Sequence, residues 1–365
     1  MHKSFVMQIL NSAPMPPSAN FRQAKAPAPG PAAAPHTGSA GAPPLAGLPA
    51  RAHCGSTDAL PVATPALGRI ASAVHSQTFV VPDIGPLPPA FVVATGKGAR
   101  HLFGSSVRLV THLYPDARIS AIDAVSLSKL RRGQRAQLKR FDAAPVRTLD
   151  EMRVLRTIRK PIATVDLFRD RQGDTPRLVL LTGHSSYGSS RVSGIPCSEI
   201  AASLKANGLQ NGDVISLTAC FGADALNFNS MRIAELNHSA SGYDGEHGRV
   251  LPPAQHLADA LGRIGLGDCL VIASHNLNRE TVPKDPATRK IVLGDDAGQQ
   301  YTETVDGLAR SPVADASRVF RSGTRPSRLL SRLDSKQLER IAPALAYLLA
   351  LKPPALSTAF GDVPC

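Results

Sequence analysis

From about residue 67 the chain alternates short apolar runs with segments whose apolar residues recur every three or four positions. AFVVAT (90–95), RISAIDAV (118–125), RLVLLTG (177–183), DVISLTAC (213–220) and DCLVIAS (268–274) are too short for helices of ordinary length and read as buried strands. Between the third and fourth lies CSEIAASLKANG, in which Ile200, Ala201 and Leu204 share one helical face. Ser198 is expected to cap its start and Gly208 to end it. AQHLADALGRIG repeats the pattern before the fifth run, with Leu257, Ala260, Leu261 and Ile264 on its apolar face. A strand, a helix and a further strand place parallel neighbours side by side, so the pattern predicts an α/β fold with a mostly parallel sheet flanked by helices. After residue 280 the text KIVLGDDAGQQYTETV predicts a β-hairpin around Gly294–Gly298. From 310 an Arg-rich stretch leads to a helix at 334–351, expected as an appendage outside the sheet.

The first 66 residues follow no such pattern. Twelve of the 31 prolines lie within residues 14–65, in Ala-, Pro- and Gly-rich text without the large apolar side chains that offset chain ordering. The expected organisation is a disordered leader (1–66), a folded domain (67–309) and a basic linker with a C-terminal helix (310–365). The leader holds four Lys/Arg and one Asp, so of the formal charge of +13 only +3 is there and +10 belongs to the body. A basic body suits a polyanion, but with no Trp and 4% aromatics the chain is poorly supplied for base stacking, and no nucleic-acid partner is expected. The six-residue FVMQIL is too short for a secretory h-region, and IAPALAYLLAL is too short to span a bilayer.

Chemistry in parallel sheets gathers beyond the carboxyl ends of the strands. His184 ends the third run and Cys220 the fourth, so their side chains are expected over one crevice. A thiol is a useful nucleophile where a base stands close, and an imidazole supplies that service. Backbone N–H groups of the GHSSYG loop are candidate donors for a developing oxyanion. The same loop lies one position off the G-x-S-x-G elbow of serine hydrolases, which makes Ser185 a rival nucleophile. Tyr187 stands where that turn requires Gly, and no helix-like segment follows. Taken singly, each residue has a plain reading: a strand-end Cys is commonly a small core residue, and Cys197 and Cys269, which have no such partner, are read as core or surface thiols. His238, His247, His256 and His275 have no Cys or carboxylate pattern that compels a metal, and none is expected.

The order RLVLLTGH, SEIAASLKANGL, DVISLTAC, QHLADALGRIGLGDCLVIAS and RKIVLGDDAGQQY resembles the self-processing cysteine-peptidase domains of large glucosylating toxins and of multifunctional autoprocessing RTX toxins, members of the caspase-like clan. The likeness covers about residues 85–305. It implies Cys220 as nucleophile, His184 as base and peptide hydrolysis through a thioester. ATGKG after the first strand supplies no acid, so a Cys/His dyad is expected, and Ser185 replaces the Gly that usually follows the clan's His. The resemblance further implies activation by inositol hexakisphosphate, with Arg279, Arg289, Lys290 and Lys97 as its cations. It points to a translocated bacterial effector, exported without a cleaved signal peptide, that cleaves itself in the leader or a host protein. A catalytically silent module that binds inositol phosphates or anionic lipid is the competing reading.

Overall fold

Each of the five apolar runs forms a strand in the computed structural model, which describes residues 89–95, 99–146, 148–168, 175–246, 248–280, 287–293 and 300–351. These residues all belong to one unit, Gly68–Cys365. The leader expected over 1–66, Lys97, His247 and the turn expected at 294–298 lie outside the described residues.

The main sheet is built from β1 (Ala90–Val93), β2 (Ile119–Ala121), β3 (Ala163–Thr164), β4 (Leu178–Thr182), β7 (Val214–Thr218), β10 (Leu270–Ser274) and β14 (Ser317–Phe320). Their spatial order is β14-β10-β7-β4-β1-β2-β3, with only β14 antiparallel to its neighbour. The chain steps outward from β1 to β3, then returns to the far side of β1 with β4. Strand order therefore reverses between β1 and β4, which opens a crevice beyond their carboxyl ends.

Alternating side chains divide the core in two. Phe91, Val93, Leu180, Val214 and Ile272 face one layer of helices: α1 (Ala99–Leu113), α2 (Ala124–Ala143) and α3 (Leu149–Arg159). Val92, Ala94, Val179, Leu181, Ile215 and Val271 face the other: α4 (Cys197–Ala206), α5 (Ile233–Ser241) and α6 (Pro253–Arg263). Asp123 caps α2 by accepting from Ser126 N at 2.6 Å, and Thr148 caps α3 by accepting from Glu151 N at 3.1 Å. Helix α4 starts earlier than expected, at Cys197 with Pro196 before it, and Ser198 makes no cap. Gly208 ends it as predicted, with φ +103°.

Two expectations are corrected. The segment beyond 310 is part of the body: β14 completes the main sheet through Val271↔Phe320 and Ser274↔Ser317. The helices α7 (Ser335–Glu339) and α8 (Ala342–Ala350) bury Leu338, Leu345, Tyr347 and Leu348 in the first core. Arg318 in the middle of β14 breaks the apolar run and hides the strand. The hairpin region also pairs differently. β11 (Leu277–Glu280), β12 (Gln300–Glu303) and β13 (Arg310–Pro312) form a small antiparallel sheet in the order β11-β12-β13, and residues 290–293 are not strand. Two short antiparallel pairs complete the described strands: β5 (Arg191–Val192) with β6 (Ile195–Pro196), and β8 (Tyr243–Gly245) with β9 (Gly248–Val250).

Candidate functional site

His184 and Cys220 each lie two residues beyond a register pair, Thr182↔Thr218, at the ends of adjacent parallel strands. The two loops are joined directly, because the Ser185 hydroxyl donates to the Cys220 carbonyl. Ser185 is thereby engaged in holding the loops. The His184 loop is fixed from both sides: His184 N donates to Ser193 Oγ at 2.9 Å, and Ser193 N returns a bond to the His184 carbonyl at 2.6 Å. Gly183 lets the chain pass here, since a Cβ on it would collide with Val192 Cγ1 and lie 3.1 Å from Ser193 Oγ.

The His184 ring lies nearly parallel to that of His101 on α1, with 6.4 Å between centroids and 17° between planes. Burial pulls the His184 pKa below its usual 6.5, and the neighbouring His101 charge adds to that. Burial also lowers His101, against the pull of Glu280. Half-buried Cys220 directs its sulfur to the Asn278 carbonyl at 3.7 Å. Burial raises its pKa, while the Asn278 backbone, the Arg279 charge and its own amide oppose the rise.

The turn after Cys220 is unusual. Phe221 adopts φ +54° and Asn276, after β10, φ +60°, a region few non-glycine residues occupy. The two residues bond to each other, Phe221 N donating to the Asn276 carbonyl at 2.6 Å, and Ala223 N donates to the Ser274 carbonyl at 3.0 Å. Gly222 admits the close approach, because a Cβ there would sit 3.0 Å from Ala273 Cβ. Beneath this turn Asp224 accepts from His275 Nδ1 and from Asn276 N, each at 2.6 Å. The carboxylate partner of His275 lies 51 residues away in the chain. Arg318 Nε donates to His275 Nε2 at 2.7 Å. Burial brings the Arg318 pKa down to about 10, with Asp224 opposing the fall, so the group stays cationic at neutral pH.

Of the cations expected to share one polyanion, Arg279 and Lys290 are each paired with a carboxylate. Arg279 is buried against Glu303 at 3.1 Å, and Arg310 reaches the same carboxylate at 2.8 Å. Lys290 is buried 3.2 Å from Glu151 and lies over the Phe141 ring. Arg289 has φ +54°, and its carbonyl accepts from Arg140 at 2.9 Å. A buried cation requires a partner, and carboxylates on neighbouring elements supply one for Arg279 and one for Lys290. Glu280, next to Arg279, takes Arg108 at 2.6 Å and also Ser105.

Cys197 and Cys269 are buried thiols with pKa values pushed up by burial to about 12. Among the described residues, no group of three or more His, Cys, Asp or Glu is placed to hold a metal ion. None of the described helices is long and apolar enough to cross a membrane. A groove of about 530 Å³ has none of these residues in its lining, which includes Arg249, Gln255, Asp259 and Arg325.

Sequence reasoning missed His101, Asp224, His275 and Arg318. A signal existed for His275, which directly follows the fifth apolar run just as Cys220 ends the fourth. His101 required knowing that β4 lies beside β1. No family model, no curated protein and no solved structure matches the chain, so the chemistry of the site rests on its own geometry.

Proposed function

We propose that the protein is a cysteine endopeptidase in which Cys220 is the nucleophile and His184 the general base. The observation that carries this reading is the junction of the two strand ends, with a Ser185 to Cys220 hydrogen bond holding the imidazole loop against the thiol loop. Burial raises the thiol and lowers the imidazole, so both groups start uncharged at neutral pH. The sulfur attacks a peptide carbonyl carbon as its proton passes to the His184 ring nitrogen. The carbonyl oxygen becomes an oxyanion, for which the amide of Cys220, beside its own sulfur, is a donor. Collapse breaks the C–N bond, and the imidazolium returns its proton to the departing amine. Water, deprotonated by His184, then splits the thioester into carboxylic acid and thiol.

Ser185 is the weaker nucleophile because its hydroxyl proton is committed to the Cys220 carbonyl. The substrate is a host protein or the protein's own leader, reached by effector export. Inositol hexakisphosphate is the activator this reading carries, with the condition that it displace Glu303 and Glu151 from Arg279 and Lys290. The test incubates reduced protein with a mixed peptide library, with and without inositol hexakisphosphate, and identifies fragments by mass spectrometry. Cleavage is expected from wild type and not from folded Cys220→Ala or His184→Ala. Equal cleavage by Cys220→Ala would overturn the proposal. Folded wild type that cuts nothing in either arm, while Cys220→Ala retains the cellular effect, would favour the silent binding module.

A further inference from the structure

Directly beneath the Cys220 turn lies a buried ionic array that takes no part in the proton transfers described above. Asp224 Oδ1 accepts from Ser239 Oγ at 2.9 Å and from His275 Nδ1, while Oδ2 accepts from Asn276 N. Arg318 fixes the other side of the ring: Nε donates to His275 Nε2, Nη1 to the Ser327 carbonyl at 2.9 Å, and Nη2 to Asn237 Oδ1 at 2.6 Å. The tautomer follows from these partners. Arginine only donates, so Nε2 must accept, and the single ring proton sits on Nδ1 facing the carboxylate. The ring is fully buried, with both nitrogens occupied, so it does not reach substrate.

Stability alone does not account for this array. The strands it joins are already paired through the sheet, and an apolar set of similar volume stabilises a core at least as well as a buried ion pair. What the array adds is directional. It grips Asp224 and Asn276, and the Asn276 carbonyl receives the N–H of Phe221, the amide immediately after Cys220. Phe221 and Asn276, both left-handed without being glycine, need such over-determination to persist.

We propose that Asp224, His275 and Arg318 are positioning residues that hold the Cys220–Phe221 peptide in its left-handed turn, aiming the Cys220 sulfur and amide into the crevice. The catalytic side of this inference rests on the peptidase reading; the positional side does not. His275→Asn retains a donor at the Nδ1 position, whereas His275→Gln retains only a group at the Nε2 position. At a temperature where circular dichroism shows both variants folded, two quantities are measured: the rate of Cys220 alkylation by iodoacetamide, followed by peptide mapping, and kcat and KM on a peptide the wild type cleaves. The expected result is a near-wild-type alkylation rate and kcat for His275→Asn. For His275→Gln the alkylation rate changes and kcat falls, by up to about a hundredfold for a displacement of roughly 1 Å, at unchanged KM. Adding Phe221→Gly, which adopts the turn unaided, is expected to restore the Cys220 rate in His275→Gln. Equal Cys220 rates in wild type, His275→Asn and His275→Gln would overturn the proposal, as would losses that track melting temperature alone. Should His275→Gln fail to fold, Asp224→Asn carries the same comparison with the same outcomes. A wild type that cleaves no peptide removes the peptidase reading, and the alkylation comparison still decides the positional claim.

Discussion

Replacing Gly183 with Ala tests how tightly the His184 loop is fixed. Gly183 has no positive φ, so alanine meets no backbone strain and the cost is steric. Its Cβ would overlap Val192 Cγ1, lie 3.1 Å from Ser193 Oγ and sit 3.4 Å from the Ala94 carbonyl oxygen, which belongs to the end of the neighbouring strand. Val192 is fully buried against the second core and has little room to retreat. Overpacking of this kind costs about 1–3 kcal/mol, or roughly 2–12 °C in melting temperature for a body of this size. Ser193 moves with Val192, and it accepts the His184 amide, so peptide cleavage falls as well. Val192→Ala removes the colliding methyl. In thermal melts of the four members of a double-mutant cycle, Gly183→Ala/Val192→Ala is expected to be more stable than the sum of the single losses by about 1–3 kcal/mol. Additive losses, or a Gly183→Ala protein as stable as wild type, would refute the steric account of this loop.

The pH profile of cleavage is expected to show its acid limb below 6.5, because His184 serves as base only when unprotonated and burial holds its pKa under that value. His101→Asn removes the neighbouring charge that lowers His184, so the limb moves to higher pH; a limb that stays in place or moves down contradicts the contact. In the native protein iodoacetamide is expected to label Cys220 and to spare Cys197 and Cys269, whose thiols titrate near 12, until denaturant exposes them; peptide mapping reads the order. Arg108→Met leaves Glu280 buried with Ser105 as its remaining hydrogen-bond partner among the described residues and is expected to cost about 3–5 kcal/mol in denaturant melts. Arg108→Met/Glu280→Met is expected to recover most of that loss.

Much of the sheet is written in local pattern. The five strands of the apolar runs are largely apolar on both faces because helices cover both, and such runs stand out without any partner being known. β14 is hidden because Arg318 interrupts it, and that arginine is tolerated only through long-range bonds to His275, Asn237 and Ser327. The tail helices read as an appendage because their apolar face, Leu338 to Leu348, has no visible partner until the sheet is assembled. Cys220 and His184 were legible together because consecutive strands joined by one helix are neighbours, so a strand-end rule was enough. The stacking of His101 on His184 was not legible, since it depends on the reversal of strand order between β1 and β4. The pairing of Arg279 and Lys290 with carboxylates was not legible for a related reason. Charge can be counted along the chain, but Glu303 and Glu151, the carboxylates that claim Arg279 and Lys290, stand 24 and 139 residues away from them.

The central claim, that an imidazole at 184 serves a sulfur at 220 in attack on a carbonyl, is tested most directly with a peptidyl chloromethyl ketone, whose carbonyl must occupy the crevice before the thiol is captured. Mass spectrometry is expected to find one adduct, on Cys220, forming at a rate that falls steeply in folded His184→Ala. Adduct formation at the same rate in both proteins, or an adduct on another side chain, would contradict the account.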